Sequence, residues 1–161
     1  MEVRKVMSSP PVTVSPGDSV LTALELFLDE RVGSVIVVDR GVCGILTRTD
    51  VLAFVREAEA ALEDDTVCEV TSLEGDMICE VTSLEDVPVC EVMSTDVVMT
   101  TGTTSLTTAL RTMKAEGIRR LPVRQGSKPV GIVTLTDVAH HLPDQLEAVR
   151  SAVRQKDRRL E

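Results

Sequence analysis

Two stretches of this chain carry the same polar groups at the same spacing, Gly44-Ile45-Leu46-Thr47-Arg48-Thr49-Asp50 and Gly131-Ile132-Val133-Thr134-Leu135-Thr136-Asp137. In each, a glycine inside an apolar run lets a second backbone or a ligand come close. The run ends at Thr47 or Thr134, and a helix is expected to begin at Asp50 or Asp137. The first N–H groups of a helix have no partner within it and attract anionic oxygens. Thr49 and Thr136 add hydroxyls at that point. Asp50 and Asp137 can accept hydrogen bonds from the vicinal hydroxyls of a ribose, the role a carboxylate plays in dinucleotide folds. The pattern suits a sugar phosphate. It is also an ordinary capping sequence, with Thr49 or Asp50 as the cap.

Arg119-Arg120 stand just before the strand of the second copy, where the first has Gly33-Ser34 and no cation. A guanidinium makes directional, bidentate contacts to phosphate. The competing reading is a pair of arginines in solvent or in salt bridges, for which 26 acidic residues offer partners. The chain shows no catalytic constellation: no G-x-S-x-G, no phosphate-binding P-loop, no H-E-x-x-H. His140 and His141 are adjacent, so on a helix they point in different directions and form no ligand pair.

The elements that position these groups are read from an internal repeat. Val6-Met7-Ser8 aligns with Val92-Met93-Ser94, Ser19 with Ser105, Ala23 with Ala109 and Glu30 with Glu116, at an offset of 86 (position 92 against position 6). Gly44, Thr47 and Asp50 align with Gly131, Thr134 and Asp137 at an offset of 87 (131 against 44), so the second hairpin is one residue longer. Each copy reads as a short extended piece, at Pro11–Val14 or Asp96–Met99, then a helix that Asp18 or Thr104 can cap. Val20, Ala23, Leu24, Phe27 and Leu28, and in the second copy Leu106, Ala109, Leu110 and Met113, fall at helical spacing. Gly117 is a helix stop. Two hairpin strands follow, Val35–Val38 with Cys43–Leu46 and Leu121–Val123 with Val130–Val133, and their near-continuous apolar runs suggest strands buried on both faces. Val51, Leu52, Val55 and Ala58 give the closing helix an apolar face. The unit is strand, helix, strand, strand, helix, made twice.

The composition is globular, with 43% hydrophobic and 27% charged residues. Only Phe27 and Phe54 are aromatic, so no row of rings exists to stack single-stranded bases. The net charge of −9 argues against nucleic acid, which is met by a basic surface. No apolar run is long enough to span a bilayer, and Met1–Met7 is not a signal peptide, so the expected location is the cytoplasm and the four cysteines are expected to be reduced thiols.

The opening Val-Met-Ser, the Ser-x-x-x-Ala helix and the glycine–strand–Thr-x-Thr-Asp close resemble the CBS-domain family, over roughly 6–54 and 92–141. The resemblance implies an α/β (α+β) fold of two β-α-β-β-α CBS repeats packed as a pseudo-two-fold pair, a Bateman module. It implies a non-catalytic, ligand-sensing module that binds an adenosine-type nucleotide (AMP, ADP, ATP or S-adenosylmethionine) in the cleft between the repeats, with no obligatory cofactor. Such modules often form homodimers and regulate another protein, here expected to be a separate one. The ribose and phosphate would meet Thr47, Thr49 and Asp50, or Thr134, Thr136 and Asp137. Arg119 and Arg120 would reach phosphate. Thr13, Val14, Val35 and Ile36, with Met99, Thr100, Leu121 and Pro122, would form adenine slots, although all of these also read as core residues. The competing classes are a structural or interaction protein with unoccupied clefts, and a regulator acting through metal or nucleic acid.

The expected organisation is repeat one at 1–62, a linker at 63–89, repeat two at 90–142 and a C-terminal helical tail at 143–161. Within the linker, Cys68-Glu69-Val70-Thr71-Ser72-Leu73-Glu74 recurs from Cys79 and begins again at Cys90, every 11 residues (79 against 68, 90 against 79). That spacing gives none of the close cysteine pairs of a metal site and reads instead as a duplicated segment forming short strands or a β-hairpin. Cys43 reads as a small core residue. In the tail, Pro143 interrupts a helix that Leu146, Val149 and Val153 resume.

Overall fold

The computed structural model describes residues 1–64 and 83–141. Cys68 and Cys79, most of the linker repeat and the tail from Leu142 lie outside the described residues. The chain forms two compact units, Val12–Val97 and Met1–Pro11 together with the chain from Val98.

The Val12–Val97 unit contains β1 (Thr13–Val14), α1 (Val20–Asp29), β2 (Ser34–Val38), β3 (Val42–Thr47), α2 (Arg48–Asp64) and a short α3 (Val89–Val92). Its sheet order is β1-β2-β3, with β1 parallel and β3 antiparallel to the central β2. The other unit repeats the plan with a 3-10 turn (Val3–Lys5), β4 (Thr100–Thr101), α4 (Leu106–Glu116), β5 (Arg120–Gln125), β6 (Lys128–Thr134) and α5 (Leu135–His141). Its order is β4-β5-β6 with the same directions. The expected mixed α/β plan of two β-α-β-β-α units is therefore present.

Several local details differ from the expectation. The caps of α1 and α4 are Ser19 and Ser105, whose hydroxyls accept from Thr22 N at 3.1 Å and Thr108 N at 3.2 Å. Asp18 instead closes the preceding turn by accepting from Ser15 N at 2.8 Å. The closing helices begin at Arg48 and Leu135, two residues before the aspartates. In the second copy the extended piece pairs at Thr100–Thr101, not Asp96–Met99. Proline explains this shift. Ile36 N donates to Val12 O at 3.0 Å, and Pro122 at the equivalent position has no N–H, so pairing starts one residue later, at Thr100↔Val123.

Burial follows the periodicities with exceptions. Val20, Ala23 and Phe27 of α1 and Leu106, Ala109 and Met113 of α4 are buried, while Leu28 and, on α2, Leu52 and Ala58 are exposed. The central strands are buried on both faces, as Val35-Ile36-Val37 and Leu121-Pro122-Val123 show. Gly117 ends α4 in the left-handed conformation at φ 67°. Cys43 is half-buried, and its thiol donates to Val37 O at 3.4 Å.

Each compact unit takes its opening segment from the other sequence copy. Ser94 pairs with Ile45 through two bonds, Ile45 N to Ser94 O at 3.0 Å and Ser94 N to Ile45 O at 2.9 Å. Ser8 pairs with Ile132 in the same way, at 3.0 and 2.9 Å. The turns just upstream are seated by matching backbone bonds: Val89 N to Asp18 O and Cys90 N to Pro16 O in one unit, Val3 N to Thr104 O and Arg4 N to Gly102 O in the other. Val87 and Val89 join the core of the first, and Val3 that of the second. Burying a valine contributes about 1.5–3 kcal/mol, enough for these short segments to matter to each unit's stability.

The motif glycines are needed for this seating. A Cβ on Gly131 would lie 2.7 Å from Met7 Sδ and 2.8 Å from the Ser8 carbonyl oxygen. On Gly44 it would lie 2.5 Å from Met93 Sδ but 3.1 Å from the Ser94 oxygen. A methionine tip can move aside more easily than a hydrogen-bonded backbone. Gly131→Ala should therefore cost about 1–3 kcal/mol and Gly44→Ala less, read from chemical denaturation followed by far-ultraviolet circular dichroism. Equal losses, or none, would show that the close approach is not the constraint.

Candidate functional site

At the end of β3, Thr47 is the N-cap of α2 and Asp50 is its third residue. The two bond reciprocally. Asp50 Oδ2 accepts from Thr47 N at 2.8 Å and Thr47 Oγ1 at 3.0 Å, while Asp50 N donates to Thr47 Oγ1 at 3.3 Å. This is a capping box with aspartate in place of the usual glutamate. The β6–α5 junction repeats it, with Thr134 N and Oγ1 both 2.8 Å from Asp137 Oδ2 and Asp137 N donating to Thr134 Oγ1 at 3.2 Å. The cap is thus Thr47 or Thr134, not Thr49 or Asp50 as the capping reading expected.

The box consumes one carboxylate oxygen. Asp137 Oδ1 has no hydrogen-bond partner among the described residues. Asp50 Oδ1 has a long contact from Ser94 Oγ at 3.4 Å, near the outer limit for such a bond. Thr49 and Thr136 are exposed at the second helical residue, their hydroxyls without partners among the described residues. Each junction therefore presents one carboxylate oxygen held in a fixed orientation, one hydroxyl and the backbone N–H of Thr49 or Thr136, those of the first and third helical residues being taken by Gly33 or Arg119 O and by the cap hydroxyl. Such a set can accept from sugar hydroxyls and donate to anionic oxygens.

The arginines lie at the same junction as Asp137. Arg120 opens β5 opposite Thr134, and the Arg119 carbonyl accepts from Leu135 N at 2.8 Å. Arg119 is exposed and its guanidinium has no described partner. In the other unit Ser34 lies opposite Thr47, and Gly33 O accepts from Arg48 N at 3.4 Å. A cation is nevertheless present there. Arg48 Nη2 donates to Val32 O at 3.1 Å, which lays the guanidinium beside the 32–33 backbone. Sequence reasoning passed over Arg48 because it searched for a cation only before the strand; the signal was the residue after Thr47.

The adenine candidates divide by sheet face. Val14, Val35 and Leu121 belong to the cores of their units. Ile36 is 1% exposed yet lies outside its unit's core cluster, on the opposite face from Val35 and Val37. Pro122 is buried at the matching position, Thr13 is exposed, and Met99 and Thr100 are half-buried. His140 and His141 are exposed, and His141 Nδ1 lies 2.9 Å from Asp137 O. Among the described residues no group of three or more His, Cys, Asp or Glu could hold a metal ion, and no helix is long and apolar enough to cross a membrane.

The reciprocal bonds predict non-additive substitutions. Thr134→Ala and Asp137→Ala should each cost about 1 kcal/mol, the usual value of a cap. The double variant should cost at least about 0.5 kcal/mol less than the sum, because each single change already breaks the shared bonds. A strictly additive result in chemical denaturation would contradict the capping box.

No curated protein matches the sequence. Among solved structures, the chain is similar to a CBS-domain-containing protein from Agrobacterium tumefaciens, with a TM-score of 0.67 and 22% identity over 88% of this chain and 98% of that one. It is similar to CBSX2 in complex with AMP, with a TM-score of 0.62 and 24% identity over 96% and 98%. It is also similar to the CBS domain pair of MJ0100 in complex with 5′-methylthioadenosine and S-adenosyl-L-methionine, with a TM-score of 0.65 and 19% identity over 90% and 98%. The CBS domain family matches twice, at 3–57 and at 89–144, and both matches contain a glycine–strand–Thr-x-Thr-Asp junction. Matched in tandem over more than half its length, the chain belongs to the CBS-domain family.

Proposed function

We propose that the chain is a non-catalytic ligand-sensing module whose Thr-x-Thr-Asp junctions bind an adenosine-type nucleotide, AMP, ADP, ATP or S-adenosylmethionine. The observation that carries this reading is the divided carboxylate of Asp137: one oxygen locked by Thr134, the other without a described partner. That free oxygen accepts from the ribose hydroxyls. Thr136 and the Arg119 guanidinium meet phosphate, and Thr47, Thr49 and Asp50 repeat the arrangement in the other unit. Thr13 and Ile36, with Met99, Thr100 and Pro122, are the adenine-facing candidates outside the cores. Two fold neighbours were solved with adenosine compounds, AMP in one and 5′-methylthioadenosine with S-adenosyl-L-methionine in the other.

The reading extends to a homodimer in the cytoplasm that regulates a separate protein. Regulation requires the ligand to bind two states of the module with different affinity.

Isothermal titration calorimetry against the four ligands tests this reading. One adenosyl ligand should bind saturably, and Asp137→Ala should weaken the site it belongs to by tenfold or more while circular dichroism still reports a folded chain. Ligand at 100 times its dissociation constant should stabilise the protein by about 2.7 kcal/mol in a calorimetric melt. No heat and no melting shift with any of them would sink the proposal.

A further inference from the structure

The two Thr-x-Thr-Asp junctions carry their cations on different elements. Where one has Arg119 before the strand and Leu135 as the first helical residue, the other has Gly33 and Arg48. The backbone bond joining the two positions is the same in both, Leu135 N to Arg119 O and Arg48 N to Gly33 O. The Arg48 side chain folds back from the helix start to the Val32 carbonyl, which brings its guanidinium to the stretch equivalent to Ile118-Arg119. The Asp50 junction thus gains a guanidinium from a sequence position other than that of Arg119. Neither Arg48 nor Arg119 forms an ion pair with a described residue, although the chain has 26 acidic residues. Arg48 uses one of its N–H groups on Val32, and a guanidinium has five to offer.

We propose that Arg48 is the phosphate-selecting residue of the Thr47–Asp50 junction, so that both junctions prefer a phosphorylated adenosine to the bare nucleoside. This rests on the nucleotide reading above and adds to it which residue reads the charge and how many ligands one chain takes. A guanidinium contact to phosphate is charge-assisted and directional, and in a chain of net charge −9 an anion needs such a local counter-charge. Two equivalents of AMP per chain follow.

Calorimetry with AMP and with adenosine on the full chain separates the outcomes. Arg48→Leu installs the residue the second copy carries at that position, so the fold tolerates it; a melt checks this. It should weaken AMP at one of two sites by roughly 10- to 100-fold, the range of a hydrogen bond to a charged group, and leave adenosine within about twofold. Arg48→Lys should recover part of the loss, and Arg119→Leu should weaken the remaining site. An AMP isotherm of Arg48→Leu that superimposes on the wild type overturns the inference. So does an equal loss of AMP and adenosine, which would mark Arg48 as structural. If the wild type binds S-adenosylmethionine or adenosine but not AMP, the inference fails while the nucleotide reading stands; if it binds none of the adenosyl compounds, both fail.

Discussion

The architecture depends on a contact two hydrogen bonds wide. Ser94 and Ile45, and likewise Ser8 and Ile132, exchange both of their backbone bonds across a strand edge. The contact forms only because the strand carries a glycine where the segment crosses it. Once the segment is in place, the turn upstream of it can insert Val89 or Val3 into the core and cover the adjacent helix start. In one unit it also brings Ser94 within reach of Asp50. Because every such segment belongs to the opposite sequence copy, neither repeat completes its core from its own residues.

The same pair of residues that starts each closing helix also shapes the proposed site. A carboxylate at the third helical position is favoured there by the helix dipole and by the unpaired N–H of the cap. Fixing it by one oxygen leaves the other oriented before any ligand arrives. Orientation that the fold has already imposed is not charged against binding, which is the general advantage of a preorganised site. On the proposed reading, stability and recognition are not competing demands on Asp137 and Asp50: one oxygen of each serves the fold, and the other is left for a ligand.

Much of this was legible in the residues because it repeats. Two weak patterns in the same order located both sheets, both helices of each unit and both junctions. What escaped the reading was the identity of the group that takes each bond. Asp18 and Ser19 are adjacent and both cap helices well, and only the backbone path decides that Ser19 does so here. The shift of β4 was readable in principle, since Pro122 cannot donate, but the consequence appears only beside the Ile36–Val12 bond of the other copy. The glycines signalled a close approach and left open what approaches. The answer, a segment from the other copy, is a long-range fact that no local spacing encodes. Arg48 was overlooked because it aligns with Leu135, an apolar residue, while the cation was sought only at the position of Arg119.

The exchanged segments also set an order of assembly during synthesis. The Val12–Val97 unit holds all its parts once the chain has grown past Ser94, so it can close while the second copy is still being made. The opening segment has a different fate. Val3 and Ser8 belong with Thr104 and Ile132, partners made more than a hundred residues later, so they can pair only once the second copy has been made. A segment made ahead of the first unit is thus built in after it, and it completes the unit that carries Asp137.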